Sequence, residues 1–136
     1  MAAAEKSYAL EQGSTFAKAW QFRLKGTTTF RDLTGYLARL QLRRGGPNGD
    51  VLLTVASDLS ATALGSSLVI LDPAAATALG YQAAHAVVLT ITDEESAAMS
   101  LPDEAELRGD LELVPPSGQV ERALKGTWTF DLEATR

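Results

Sequence analysis

Residues 105–132 read AELRGDLELVPPSGQVERALKGTWTFDL, and their alternation decides the fold class. Ala105, Leu107, Gly109, Leu111 and Leu113 share one side of an extended chain, and Glu106, Arg108, Asp110 and Glu112 share the other. A repeat of two marks a half-buried strand, because successive side chains of extended backbone point to opposite faces. Further on, Val120, Leu124, Trp128, Phe130 and Leu132 line one face, with Arg122 and Gly126 as interruptions, while Glu121, Lys125, Thr127, Thr129 and Asp131 look the other way. Between the two segments stands Pro115-Pro116-Ser117-Gly118, where Pro fixes φ and Gly supplies a positive one. Residues 105–114 and 119–132 are therefore predicted to form an antiparallel pair.

The same period recurs upstream. In residues 16–24 the even positions are Phe16, Lys18, Trp20, Phe22 and Leu24, and only Lys18 breaks the apolar face. In residues 36–42 they are Tyr36, Ala38, Leu40 and Leu42, with Arg39 and Gln41 between them. Shorter apolar runs at 51–56, 68–71 and 86–91, and a brief one at 8–11, bring the expected total to about eight strands. Arg44-Gly45-Gly46-Pro47-Asn48-Gly49-Asp50 reads as a hairpin tip. Two short helices are expected. Thr92-Asp93-Glu94-Glu95 has capping-box spacing, with Thr92 as N-cap, Glu95 reaching back and an acidic first turn that suits the helix dipole; residues 100–102 would end it. Residues 73–79 form the second, with Asp72 as N-cap, Pro73 in the first turn and Gly80 as C-cap. The expectation is an all-β, Ig-like antiparallel β-sandwich of about eight strands with one or two short helices, spanning residues 8–133 between an N-terminal arm at 1–7 and a C-terminal tail at 134–136.

Composition bounds the function. The 136 residues suit one domain, and 46% apolar with 21% charged residues is ordinary for a folded chain. Twelve basic residues against seventeen acidic ones leave a net charge of -5, and no basic run exceeds Arg43-Arg44, so binding to a phosphate backbone lacks its electrostatic drive. No nucleic-acid partner is expected. The absence of cysteine removes disulfides, thiolate metal sites and a Cys nucleophile. Residues 1–6 lack an apolar stretch and carry Glu5, so no signal peptide is expected, and the apolar runs are too short for a membrane span.

Catalytic chemistry finds little to build on. His85 is the single histidine, no G-x-S-x-G nucleophile elbow accompanies it, and it reads as a surface or structural residue. Carboxylates gather at Asp93, Glu94 and Glu95 and at Asp103, Glu104 and Glu106, but the calcium-loop pattern is missing, so a capped helix start and a solvated loop account for them. Gly45, Gly46 and Gly49 lack the G-K-[ST] of a phosphate loop. Trp20, Phe22, Trp128 and Phe130 fall on apolar strand faces, which favours core packing over a sugar-stacking platform. Arg122 is either buried with a partner such as Asp110 or Glu112, or marks an interface rim. No catalytic, cofactor-binding or metal-binding residue and no cofactor is expected.

Tyr8 with Glu11-Gln12-Gly13-Ser14-Thr15-Phe16 is similar to the opening of small tailed-bacteriophage proteins found among tail and baseplate components. Asp32-Leu33-Thr34-Gly35-Tyr36, followed by Ala38-Arg39, Gln41 and Arg43, resembles a second signature. Asp110-Leu111-Glu112-Leu113-Val114, then Pro116-Ser117-Gly118, Val120, Arg122 and Gly126, resembles their closing hairpin, and Thr135-Arg136 their ending. Gly109 stands where that group commonly has an aromatic residue, and residues 67–85 are extra length that would serve as a docking loop. The resemblance implies an Ig-like sandwich akin to the N-terminal domains of baseplate upper proteins that attach receptor-binding proteins. It further implies a non-enzymatic virion protein of the tail or baseplate, made in the host cytoplasm, that attaches fibres or spikes through contacts with other virion proteins and is a homo-oligomer in the particle. The alternatives are a capsid decoration or cement protein, and a host-surface carbohydrate-binding module.

Overall fold

The computed structural model describes residues 4–45, 49–99, 101 and 105–131. In chain order they form β1 (Ala4–Glu11), β2 (Phe16–Trp20), β3 (Leu37–Arg44), β4 (Val51–Ala56), β5 (Ser67–Leu71), α1 (Pro73–Ala78), β6 (Ala86–Ile91), α2 (Asp93–Ala98), β7 (Ala105–Arg108), β8 (Leu111–Val114) and β9 (Glu121–Asp131). The larger sheet runs β1-β9-β7-β3-β4, with β8 also laddered between β9 and β3. The smaller runs β2-β6-β5. The core lies between them, drawing Leu40, Leu42, Leu107, Leu111, Leu113, Trp128 and Phe130 from the first sheet and Trp20, Leu68, Val87, Leu89 and Ile91 from the second. The chain is thus all-β and sandwich-like, as its alternation predicts.

The closing hairpin forms where expected. Leu107, Gly109, Leu111 and Leu113 are buried, and Gly118 N–H donates to the Pro115 carbonyl at 2.8 Å across the turn. At Gly109 and Asp110 the first strand breaks in two, which makes nine strands among the described residues rather than eight. The break has a packing cause. Gly109 N–H donates to the Gly126 carbonyl at 3.0 Å, and Trp128 Nε1–H donates to the Gly109 carbonyl at 3.3 Å. A Cβ on Gly126 would lie 2.3 Å from the Gly109 carbonyl oxygen, and one on Gly109 would lie 2.4 Å from Leu42 Cδ2. Two glycines make room for one indole, so an aromatic side chain at position 109 would occupy space that Leu42 and Trp128 fill.

A bulge explains Arg122. The β8–β9 register pairs Leu111 with Leu124 but Glu112 with Arg122, leaving Ala123 extra. One extra residue reverses which side of the sheet the chain presents. Arg122 therefore lies on the outer face, about half exposed, with Nε 3.2 Å from Asp110 Oδ2.

Some expectations are corrected. Strand pairing is not uniformly antiparallel, because β1 runs parallel to β9 over its whole length, Ala4 opposite Leu124 to Glu11 opposite Asp131. Sequence alternation carries no direction, and partners from opposite ends of a chain leave no turn signal between them. Residues 4–7, expected to be an arm, belong to β1; their side chains are exposed, and the backbone ladder to β9 sets their course. The strand expected over 16–24 ends at Trp20, after which residues 22–31 form a small excursion closed by Arg31 N–H to the Phe22 carbonyl at 2.7 Å. The capping box at α2 is half formed. Thr92 Oγ1 accepts from Glu95 N–H at 3.2 Å, but the Glu95 carboxylate takes the Thr62 hydroxyl at 2.5 Å, and Thr92 N–H donates to the buried Ser66 Oγ at 3.1 Å instead. At α1 the cap residue is Leu79, with Gly80 one step beyond at φ +88°. The centre of the 44–50 hairpin tip, residues 100 and 102–104, and the tail at 134–136 lie outside the described residues.

Candidate functional site

His85 precedes β6 and faces the 31–34 turn. Its Nδ1 accepts the Leu33 N–H at 3.3 Å, and Asp32 Oδ1 lies 3.7 Å away. Asp32 is largely exposed and accepts both the hydroxyl of Thr34 at 2.6 Å and its N–H at 2.9 Å. Those two bonds, the hydroxyl first, hold its carboxyl below the usual carboxylate range. The three groups border an open depression with Asp72, but their order is wrong for nucleophile activation. A hydroxyl is activated when imidazole stands between it and the carboxylate. Here the carboxylate stands in the middle and a backbone amide occupies Nδ1.

Among the described residues the carboxylates of the first cluster, Asp93, Glu94 and Glu95, do not converge on a site. Asp93 and Glu94 are exposed at the start of α2, Glu95 is engaged by Thr62, and residues 103 and 104 fall outside the described set. Among the described residues no group of three or more His, Cys, Asp or Glu side chains is placed to hold a metal ion, and no helix is long and apolar enough to cross a membrane.

Two further grooves are formed by the described residues. The first is the outer face of the larger sheet, a shallow groove where Arg39, Arg43, Arg108 and Arg122 stand among Asp58, Asp110 and Glu112. Most of its charge is internally matched: Arg39 binds Glu112 at 2.8 Å, and Asp110 lies between Arg122 at 3.2 Å and Arg108 at 3.9 Å. The second is the open side of the sandwich, where the edge strand of each sheet, β1 and β2, leaves a groove of about 630 Å³. Lys6, Tyr8, Lys18, Trp20, Phe22, Arg23, Phe30 and Leu124 contribute to its walls. Lys6, Lys18 and Arg23 are exposed, and its described lining contains no carboxylate.

The aromatic floor of that groove continues into the core. Trp20 Nε1–H donates to the Tyr8 hydroxyl at 2.9 Å, and Tyr8 packs on Trp128 with ring centres 4.7 Å apart. The Arg23 guanidinium lies 5.2 Å from the Phe30 ring centre. Trp20 is 8% exposed and Trp128 1%, so neither indole offers a face for sugar stacking.

Sequence reasoning missed three anchoring groups. Ser96, fully buried, accepts from Gly13 N–H at 3.0 Å and lies 3.0 Å from the Ser14 carbonyl, pinning the β1–β2 turn to α2. Ser66 holds the start of α2. Arg31 forms a two-pronged ion pair with Glu121 at 2.6 and 2.9 Å, tying the 22–31 excursion to β9. That hydrogen-bonded contact raises the Arg31 pKa and lowers that of Glu121. Each joins residues distant in sequence, so no local pattern announces it. Comparison with protein-family models and with curated proteins returned no match.

Proposed function

We propose that this chain is a non-enzymatic structural component of a tailed-phage particle, a tail or baseplate adaptor that holds fibre or spike subunits through protein–protein contacts. The observation that carries the reading is a pinned two-sheet scaffold whose four outermost strands, β1 and β4 in one sheet and β2 and β5 in the other, have no further strand beside them among the described residues. Free strand edges are templates for pairing with another chain, and particles built by symmetric repetition use such surfaces many times over. The resemblance of the 8–16, 32–43 and 110–126 segments to phage tail and baseplate proteins supports the same reading, as does the inward placement of both indoles. Affinity then comes from desolvated apolar contacts and main-chain pairing.

The test is mass spectrometry on purified particles separated into heads and tails. The reading predicts this chain in the tail fraction, in several copies per particle. Its presence in heads alone assigns it to capsid decoration, and its absence from the particle overturns a virion role.

A further inference from the structure

Among the described residues, the free edge of β2 and the groove beside it combine an unpaired strand edge, aromatic surface and several cations. Within β2 the side chains alternate, and Phe16, Lys18 and Trp20 share the core-facing side. Lys18, opposite Leu89 on β6, is exposed at the lip of the groove. Lys6 and Arg23 add positive charge, Tyr8, Phe22 and Phe30 supply half-buried aromatic surface, and the described lining offers no anion to neutralise the cations. All this sits on a chain of net charge -5.

From these observations the geometry points to the β1–β2 side as a docking groove for an extended acidic segment of a neighbouring protein, added as a strand along the free edge of β2. The claim rests on the adaptor reading above and names the partner's chemistry. A strand laid beside β2 satisfies the edge amides and carbonyls through its own backbone. Its inward side chains, two residues apart, meet Lys18 and the aromatic floor in turn, which selects carboxylate and apolar residues on one face. The same lysine selects against a second copy. Lys18 is the middle residue of β2, so antiparallel pairing of two β2 strands about their centres sets Lys18 against Lys18. An inward-pointing lysine on an edge strand commonly guards against self-association, and such a guard is neutralised by a carboxylate on the incoming strand.

The experiment uses the full chain and two fluorescein-labelled peptides of about ten residues that alternate Thr with an inward set. That set is Glu around a central Leu in one peptide and Lys around the same Leu in the other. Fluorescence anisotropy gives affinity, and amide hydrogen exchange reports on residues 16–20. The acidic peptide is expected to bind and to slow exchange along β2, while the Lys peptide does not bind. Lys18→Glu should weaken the acidic peptide by about tenfold or more. Lys18→Thr, which keeps β-propensity without reversing charge, should weaken it by a smaller factor. Failure of the acidic peptide to bind, equal binding of both peptides, binding without protection of β2, or an unchanged affinity in Lys18→Glu overturns the proposal. Equal competition by a polyuronate would mean anionic sugar rather than peptide recognition, and overturns it as well. None of these outcomes bears on whether the chain is present in particles, so the two readings fail separately.

Discussion

The hairpin of β7, β8 and β9 closes on itself, whereas β1 and β2, separated by only the residues 12–15, part company and join different sheets. In the hairpin every inward position is filled. Gly109 and Gly126 approach so closely that Trp128 completes the packing, and Arg122 and Asp110 match charges outside. On the β1–β2 side the turn is equally well pinned, by Ser96 and by Thr15 Oγ1 accepting Asp93 N–H at 3.2 Å, yet the strands it delivers are sheet edges. One region is closed by its own packing, and the other joins a hydrogen-bonded anchor to free strand edges. Such an edge suits the docking role proposed above, since strands already held in place lose less freedom when a partner orders against them.

Perturbing the closed region should have the largest effects. Trp128→Ala removes a fully buried indole and its bond to Gly109, and is expected to cost about 4 kcal/mol, read as a fall in the denaturant midpoint. Gly126→Ala places a methyl group against the Gly109 carbonyl and the Trp128 nitrogen. Backbone must move to admit it, so a loss of about 3 kcal/mol is expected despite the small change in volume. A denaturant midpoint that stays at the wild-type value in Gly126→Ala would show that the two glycines are not a packing requirement.

The link between the regions gives a smaller and pH-dependent effect. Arg31–Glu121 ties the excursion after β2 to the start of β9. Folding lowers the Glu121 pKa through its bond to Arg31, so the ionised form is favoured in the folded state. The stabilisation is therefore fully present above the unfolded-state pKa of Glu121 and disappears as pH falls through its depressed folded value. Glu121→Gln should cost about 2 kcal/mol at neutral pH, with the difference from wild type closing in acid. A constant difference across the acid range would mean that the pair contributes through packing alone.

How much of this was legible follows from the same contrast. Alternation at Leu107, Leu111 and Leu113, and the Pro-Ser-Gly turn, announce the hairpin because its partners are sequence neighbours. The two short helices are equally visible through Asp72 and Thr92, whose side chains cap their own chain a few residues on. The parallel pairing of β1 with β9 leaves no such mark, since Ala4 and Leu124 meet only after the whole chain has folded. Glu95 was drawn away from its local capping role by Thr62, a partner that tertiary structure alone supplies. Lys18 was visible as an interruption in an apolar face, but its meaning depends on β2 being an edge, which is a property of the assembled sheet. Gly109 is likewise visible in the sequence as a glycine where an aromatic residue is expected, but its reason, room for the Trp128 indole and Leu42, belongs to the assembled sheet.

If the chain is the proposed scaffold with its open side held by other subunits, zero-length carbodiimide cross-linking of the intact particles called for by that proposal gives the sharpest test. The reagent joins a lysine amine to a carboxylate only when the two are in contact. Amide links are expected from Lys18, and from Lys6 of the same groove, to Asp or Glu side chains of a different virion protein. Particles in which this chain is present and both lysines remain unlinked, or link only to a second copy of the chain, would contradict it.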